Sequence, residues 1–174
     1  KNAQGIGKLM VEVRNFYAEK LTESTLKQWH AILMEYSKRV IPGEYRTGNE
    51  PMQIVSGAFG KEIIHFEAPP SKQVSFEMKK FIEWYNDFEV KPTDIKNILI
   101  KTSISHLYFE SIHPFEDGNG RIGRAIAEKC LSESLNRPVL MSISSTIDQN
   151  KKRYYESLKQ AQRTLEITDW IFYF

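Results

Sequence analysis

The sequence predicts a mainly α-helical domain interrupted once by a β-hairpin. Three observations carry that prediction. Apolar residues recur every three to four positions along most of the chain, the period of helices that bury one face. The pattern changes only over about residues 52–66, where two short β-like runs flank Ser56-Gly57-Ala58-Phe59-Gly60. Finally, 174 residues with 41% apolar side chains are enough to enclose one core.

The elements follow in order. Ile6, Leu9, Met10, Val13 and Phe16 keep a helical period. Thr22 is placed to cap a second helix, with Leu26, Trp29, Leu33 and Tyr36 on its inner face and Pro42-Gly43 as its end. Met52–Val55 and Glu62–Phe66 are the two strands, with Ser56–Gly60 as the hairpin loop. Two strands are marginal alone, so this hairpin must lean on helices. Pro69-Pro70 closes it. Val74, Met78, Phe81, Ile82 and Tyr85 form the next stripe. Pro92-Thr93 opens a helix carrying Ile95, Ile98, Leu99, Thr102, His106 and Phe109 on one face, with His106 read as a hydrogen-bonded core histidine. Arg121–Leu135 reads as helical through Ile122, Ala125, Ile126 and Cys130, ending near Asn136 with Pro138 beyond. Val139–Ser145 reads as extended, leading to Asp148 as the cap of a helix marked by Tyr154, Tyr155, Leu158 and Ala161. Thr168-Asp169 starts a last helix with Trp170, Ile171 and Phe174.

Composition excludes several classes. A net charge of +2 without a basic run argues against nucleic acid, and Lys151-Lys152-Arg153 reads as a solvated helix start. No run is long enough to span a membrane and no signal peptide is present, so a cytoplasmic location is expected. Cys130 is the only cysteine, so an internal disulfide is ruled out and a reducing compartment fits. The chain starts at Lys1 without a methionine and is read as a piece of a longer protein.

One stretch carries chemistry. His113–Arg124 reads H-P-F-E-D-G-N-G-R-I-G-R. Gly118-Asn119-Gly120 is a turn of little side-chain bulk at the start of a helix, where unpaired N–H groups converge on an anion. Arg121 and Arg124, three apart, lie on the first turn, and guanidinium forks match phosphate oxygens. Asp117 is a hard oxygen ligand suited to Mg²⁺ shared with a phosphate. His113 is placed to take a proton from an attacking hydroxyl near neutral pH. A calcium-loop reading fails because Arg121 and Ile122 fall where an oxygen ligand and a glycine are needed. No Walker loop and no H-E-x-x-H is present. The residues themselves describe a polyphosphate site with a base and a metal ligand.

Those twelve residues match, at every defined position, the H-P-F-x-[DE]-G-N-G-R-x-x-R motif, and the chain resembles the Fic (filamentation induced by cyclic AMP) family. G-E-Y-R (Gly43–Arg46), H-F-E-A-P-P (His65–Pro70) and R-Y-Y-E-S-L (Arg153–Leu158) look like further segments of it. The resemblance implies a helical core with a β-hairpin flap over the active site. It implies protein adenylyltransfer, a modification used in signalling, in which AMP passes from ATP, with Mg²⁺, to a Ser, Thr or Tyr hydroxyl. His113 is then the general base and Asp117 the metal ligand. Phe115, Gly118, Asn119, Gly120, Arg121 and Arg124 surround the nucleotide, with Tyr155 and Gln162 bordering the nucleoside. Phe115 is also read as an anchor of the loop in the core. The flap is expected to take an extended stretch of the target protein by strand addition.

Two rival functions stay open: a Fic relative with another reaction (another nucleotide, phosphocholine or phosphate transfer, or removal of AMP), and a nucleotide-binding module without turnover. Many Fic proteins are restrained by a helix bearing [ST]-x-x-x-E-[GN], and no segment here matches it. Either such a helix lies upstream of Lys1, or the inhibitor is a separate protein, or there is none; a second copy of the chain is a further candidate partner.

Overall fold

A computed structural model describes residues 2–49, 51–56, 63–139 and 143–174. Its elements are α1 (Asn2–Asn15), α2 (Glu23–Met34), β1 (Gln53–Ser56), β2 (Ile63–Glu67), α3 (Ser71–Asp87), α4 (Ile95–Ile112), α5 (Asn119–Ser134), α6 (Ile143–Gln149), α7 (Lys151–Ala161) and α8 (Thr168–Tyr173). The helical core with one hairpin is the expected architecture. β1 and β2 pair antiparallel with Gln53 opposite Glu67 and Val55 opposite Ile64, and the register shifts between Ile54 and Val55. The expected hairpin loop lies mostly outside the described residues.

α4 and α5 are the central pair. One core lies on the side of α1, α2 and α3, built from Leu9, Trp29, Met78, Phe81, Phe109, Phe115, Ile122 and Ile126 among others. A smaller one lies where α6, α7 and α8 cover α4, around Leu107, Ile147, Tyr154, Leu158 and Trp170. Each fully buried large apolar side chain contributes roughly 1.5–3 kcal/mol, so both faces of α4 are held firmly. Local signals set several boundaries. The Thr22 hydroxyl accepts the Thr25 N–H at 3.0 Å, starting α2, and Asp94 accepts the Asn97 N–H at 3.1 Å, starting α4. Asn136 takes the left-handed conformation (φ 51°), and the Arg137 N–H returns to Ser132 O at 3.0 Å, stopping α5.

Four expectations are corrected. α2 ends at Met34 rather than at Pro42, and Tyr36 lies outside it, 53% exposed. The reason is tertiary: the Gly43 N–H donates to His30 Nδ1 at 2.9 Å, so the chain folds back over α2. A helix continued to Ile41 would carry residue 43 roughly 20 Å along the axis. Ile6 and Met10 keep the expected helical period within α1, Phe16 falls just beyond it, and Ile95 and Leu99, expected to share a face with Ile98 and His106, are exposed instead. Residues 143–149 are helical rather than extended. Asp148 lies inside that helix, and Asn150 precedes α7.

Candidate active site

The site is built where α4 hands over to α5. α4 stops because His113 turns left-handed (φ 50°, ψ 58°), its N–H donating to Phe109 O at 3.0 Å. A non-glycine residue in that region costs roughly 1–2 kcal/mol, so something must hold it. Arg46 does. Its N–H donates to Pro114 O at 2.9 Å and its Nε to His113 O at 2.8 Å. One terminal nitrogen donates to Ile112 O at 3.3 Å and to the Pro69 carbonyl, and the other to Ser71 Oγ at 3.0 Å. The last carbonyls of a helix have no intrahelical donors, and a buried fork of N–H groups answers them here. Burial pulls the Arg46 pKa down, and nearby Glu116 opposes this.

The loop after His113 is fixed from beneath. The Phe115 ring is fully buried, stacked on His30 with centroids 3.9 Å apart and planes 4° apart. His30 Nδ1 accepts from Gly43, so its proton sits on Nε2, which donates to Asp117 O at 3.1 Å. Burial lowers the His30 pKa and keeps the ring neutral. Asn119 closes the turn: its Oδ1 accepts the Phe115 N–H at 2.9 Å and its Nδ2 donates to Phe115 O at 2.7 Å. Gly118 has φ 87°, and a Cβ there would lie 2.5 Å from Met34 Cε and 3.2 Å from Leu33 Cδ2. Only glycine meets both demands. The Arg121 and Ile122 N–H groups both return to Gly118 O at 3.1 Å. That leaves the N–H groups of Asn119 and Gly120 as the helix's first donors without an intrahelical acceptor.

Charge surrounds this turn. Asp117 Oδ1 accepts from the Gly118 N–H at 2.6 Å and from Arg121 at 3.3 Å, and the side chain is 66% exposed. Arg124 donates from Nε to Ser144 Oγ at 2.9 Å, tying α5 to α6. Burial lowers the His113 pKa, so the imidazole is unprotonated at neutral pH. Burial raises Glu110 and Glu128 to about 7 each, against the opposing pull of Arg124.

His113, Asp117, Gly118, Gly120, Arg121 and Arg124 are thus brought together by one short joint. Two expected ligands are placed otherwise. The Phe115 ring is committed to the core, and the Asn119 side chain is committed to the turn, leaving its N–H. Tyr155 is 60% exposed on α7, meeting Tyr154 edge-on, and Gln162 caps α7 with Nε2 buried and unpartnered among the described residues. It is Tyr154 that reaches α4, its hydroxyl 2.7 Å from His106 Nε2. Arg46, His30 and Glu110 are structural contributors that residue patterns missed. Arg46 was legible only as the end of G-E-Y-R, and His30 only as a polar residue beside Trp29 on an inner face. Glu110 gave no signal beyond lying one turn before His113.

A helical domain with a glycine turn joining its two central helices, a histidine before the turn and two arginines after it, defines the class. The Fic/DOC family model matches residues 20–131, and the chain belongs to that family. It is 30% identical over 97 residues to a probable protein adenylyltransferase of Aquifex aeolicus (strain VF5), covering 56% of this chain and 27% of that protein. It is 24% identical over 145 residues to the protein adenylyltransferase Fic of Nematostella vectensis, covering 83% and 29%. The chain therefore spans less than a third of the length of these curated relatives. Among solved structures, a Fic family protein from Desulfovibrio desulfuricans G20 superposes with a TM-score of 0.72 at 24% identity, over 95% of this chain and 48% of that one. Fic-1 of C. elegans gives 0.72 at 19% identity, over 99% and 46%. These structures share the fold. Among the described residues, no helix is long and apolar enough to cross a membrane.

Proposed function

We propose that the chain transfers AMP from ATP to a Ser, Thr or Tyr hydroxyl of a target protein. The observation that carries this reading is the joint itself: an unprotonated imidazole, two free N–H donors and two guanidinium groups converge on residues 113–124. The chain's similarity to the protein adenylyltransferases of A. aeolicus and N. vectensis supports it. The Asn119 and Gly120 N–H groups hold phosphate oxygens at the helix N-terminus. Arg121 and Arg124 neutralise charge along the phosphate chain and on departing pyrophosphate. His113 takes the hydroxyl proton as the oxygen attacks the α-phosphorus.

The donor set fits a magnesium ion of the kind shared with a nucleotide. No cluster of three or more His, Cys, Asp or Glu exists among the described residues, so a cage made by the protein alone is absent there. Asp117 offers one exposed carboxylate whose Oδ1 is engaged by Gly118 and Arg121. Mg²⁺ is commonly bound by one or two carboxylates together with substrate phosphates and water. Held by Asp117, it would supply charge neutralisation at the phosphates.

The hairpin supports protein as the acceptor. β1 and β2 form a two-stranded sheet, so each strand has an edge not used by the other. An extended segment of a target can add to such an edge through backbone hydrogen bonds. The test is labelling of a cell lysate by the purified chain with ATP carrying the radiolabel at the α-phosphate, with γ-labelled ATP as control. Transfer of the α label only, abolished by His113→Ala with ATP affinity kept, is expected. Equal transfer by that variant removes the base assignment, and transfer of the γ label replaces the reaction.

A further inference from the structure

Glu110 lies on the last turn of α4 directly beneath the joint. Its side chain is 6% exposed, and its Oε2 is 4.0 Å from His113 Nδ1. The separation is just longer than a hydrogen bond. Both His113 Nδ1 and Glu110 Oε1 are buried without a hydrogen-bond partner among the described residues. A carboxylate is rarely buried unpaired, and no side chain pairs with the Nδ1 of the proposed base among the described residues. The unpartnered Nδ1 faces Oε2 of this carboxylate, while the unpartnered Oε1 turns toward Gly123 on α5.

The surroundings keep the carboxylate there. A Cβ on Gly123 would come within 2.4 Å of Glu110 Oε1 and 3.2 Å of His106 Nδ1, so the glycine lets α5 close over this acid. The groups facing Glu110 are His106 from α4, His113 just beyond its end, Arg124 from α5 and Tyr154 from α7. His106 is held neutral by burial, at about 4, and its Nε2 is engaged by the Tyr154 hydroxyl. Arg124 directs its Nε to Ser144. On His113 itself, burial lowers the pKa, the Glu110 backbone carbonyl raises it, Arg46 lowers it and Asp117 raises it.

We propose that Glu110 is the positioning residue for His113. Its carboxylate accepts the imidazole Nδ1–H, fixes the tautomer with the proton on Nδ1, and leaves the Nε2 lone pair toward the incoming hydroxyl. A base oriented by a third group is the arrangement that activates hydroxyl nucleophiles generally. In the reaction assigned above, on which this role rests, the hydroxyl proton passes to Nε2. The oxygen forms its bond to the α-phosphorus as the bond to pyrophosphate breaks, and pyrophosphate takes that electron pair. The carboxylate stabilises the imidazolium until its proton is lost to water. A protonated Glu110 would instead donate to Nδ1, place the imidazole proton on Nε2 and disable the base.

The test combines a rate with a spectroscopic signature. In ¹⁵N-histidine spectra of the parent chain, His113, assigned by its loss in His113→Asn, should show a protonated Nδ1 and a bare Nε2. Glu110→Gln, nearly equal in volume, should shift His113 toward the opposite tautomer. It should lower transfer at saturating ATP by roughly 100- to 10,000-fold, leave ATP affinity within about twofold, and move the acid limb of the pH–rate profile. Glu110→Asp should recover part of the rate, and it replaces Glu110→Gln in both measurements if the latter does not fold. The proposal is overturned if the tautomer and rate are unchanged, or if transfer falls only in step with ATP affinity or melting temperature. If the parent transfers no AMP, the adenylyltransferase reading fails while the tautomer still decides the role of Glu110.

Discussion

Arg46 holds His113 by the backbone rather than by the ring: its Nε donates to the His113 carbonyl at 2.8 Å. The same guanidinium reaches Ile112 O and Ser71 Oγ. A residue between α2 and the hairpin, 67 positions away in sequence, therefore sets where the imidazole sits. Replacing Arg46 with Lys keeps the charge and loses the fork. At least one buried helix carbonyl is then left without a donor, at about 1–3 kcal/mol each. Arg46→Lys should lose roughly 2–4 kcal/mol in urea unfolding. It should transfer AMP about 100-fold more slowly, as expected for a base displaced by about 1 Å. Unchanged unfolding would disprove the clamp.

Asn119 should matter to folding more than a surface ligand would. Its amide satisfies both the N–H and the carbonyl of Phe115 while 2% exposed. Asn119→Ala leaves both groups buried and unpaired. The expected loss is about 2–4 kcal/mol, read by thermal or urea unfolding without nucleotide. A variant that melts with the parent but binds ATP poorly would return the Asn119 side chain to the role of a direct ligand.

Gly118→Ala tests the turn in isolation. The added methyl meets Met34 Cε at 2.5 Å, and the backbone is left-handed at φ 87°. The left-handed cost is about 1–2 kcal/mol, and crowding adds roughly 1–3 kcal/mol, with Met34 able to yield part of it. Stability should fall by about 2–3 kcal/mol, measured by denaturant midpoint. ATP affinity should fall with it, because the turn that aims the Asn119 and Gly120 N–H groups is distorted. Met34→Ala, a core truncation in its own right, should cost less stability in the Gly118→Ala background than in the parent, because there it also relieves the clash.

Glu128 gives a pH signature. Burial raises its folded pKa to about 7 from 4.5. The folded state therefore holds the proton more tightly, and its relative stability is fullest below pH 4.5 and lost as pH rises through 7. Glu128→Gln removes that loss. It should melt like the parent near pH 4.5 and higher at pH 8, by about 1 kcal/mol, or roughly 2–4 °C, after allowance for screening by water and Arg124. An equal gain at both pH values would mean that packing, not ionisation, is responsible.

The helical class, the place of the hairpin and the stretch His113–Arg124 were legible from residue order alone. Each is written in contiguous residues: a period of three to four, a Gly-containing break, and twelve positions whose chemistry is local. Turn chemistry at Gly118 and capping at Thr22 were legible for the same reason. Tertiary structure decided what depended on distant partners. α2 stops at Met34 because Gly43 must return to His30, and Ile95 and Leu99 are exposed because no described helix covers that side of α4. Asn119 turns inward because Phe115, four residues back, presents a backbone needing both a donor and an acceptor. Arg46, His30 and Glu110 acquire their places only when α2, the chain before the hairpin and α4 converge under one loop. Sequence spacing carries no record of a hydrogen bond across 67 residues; only the folded chain brings its two ends together.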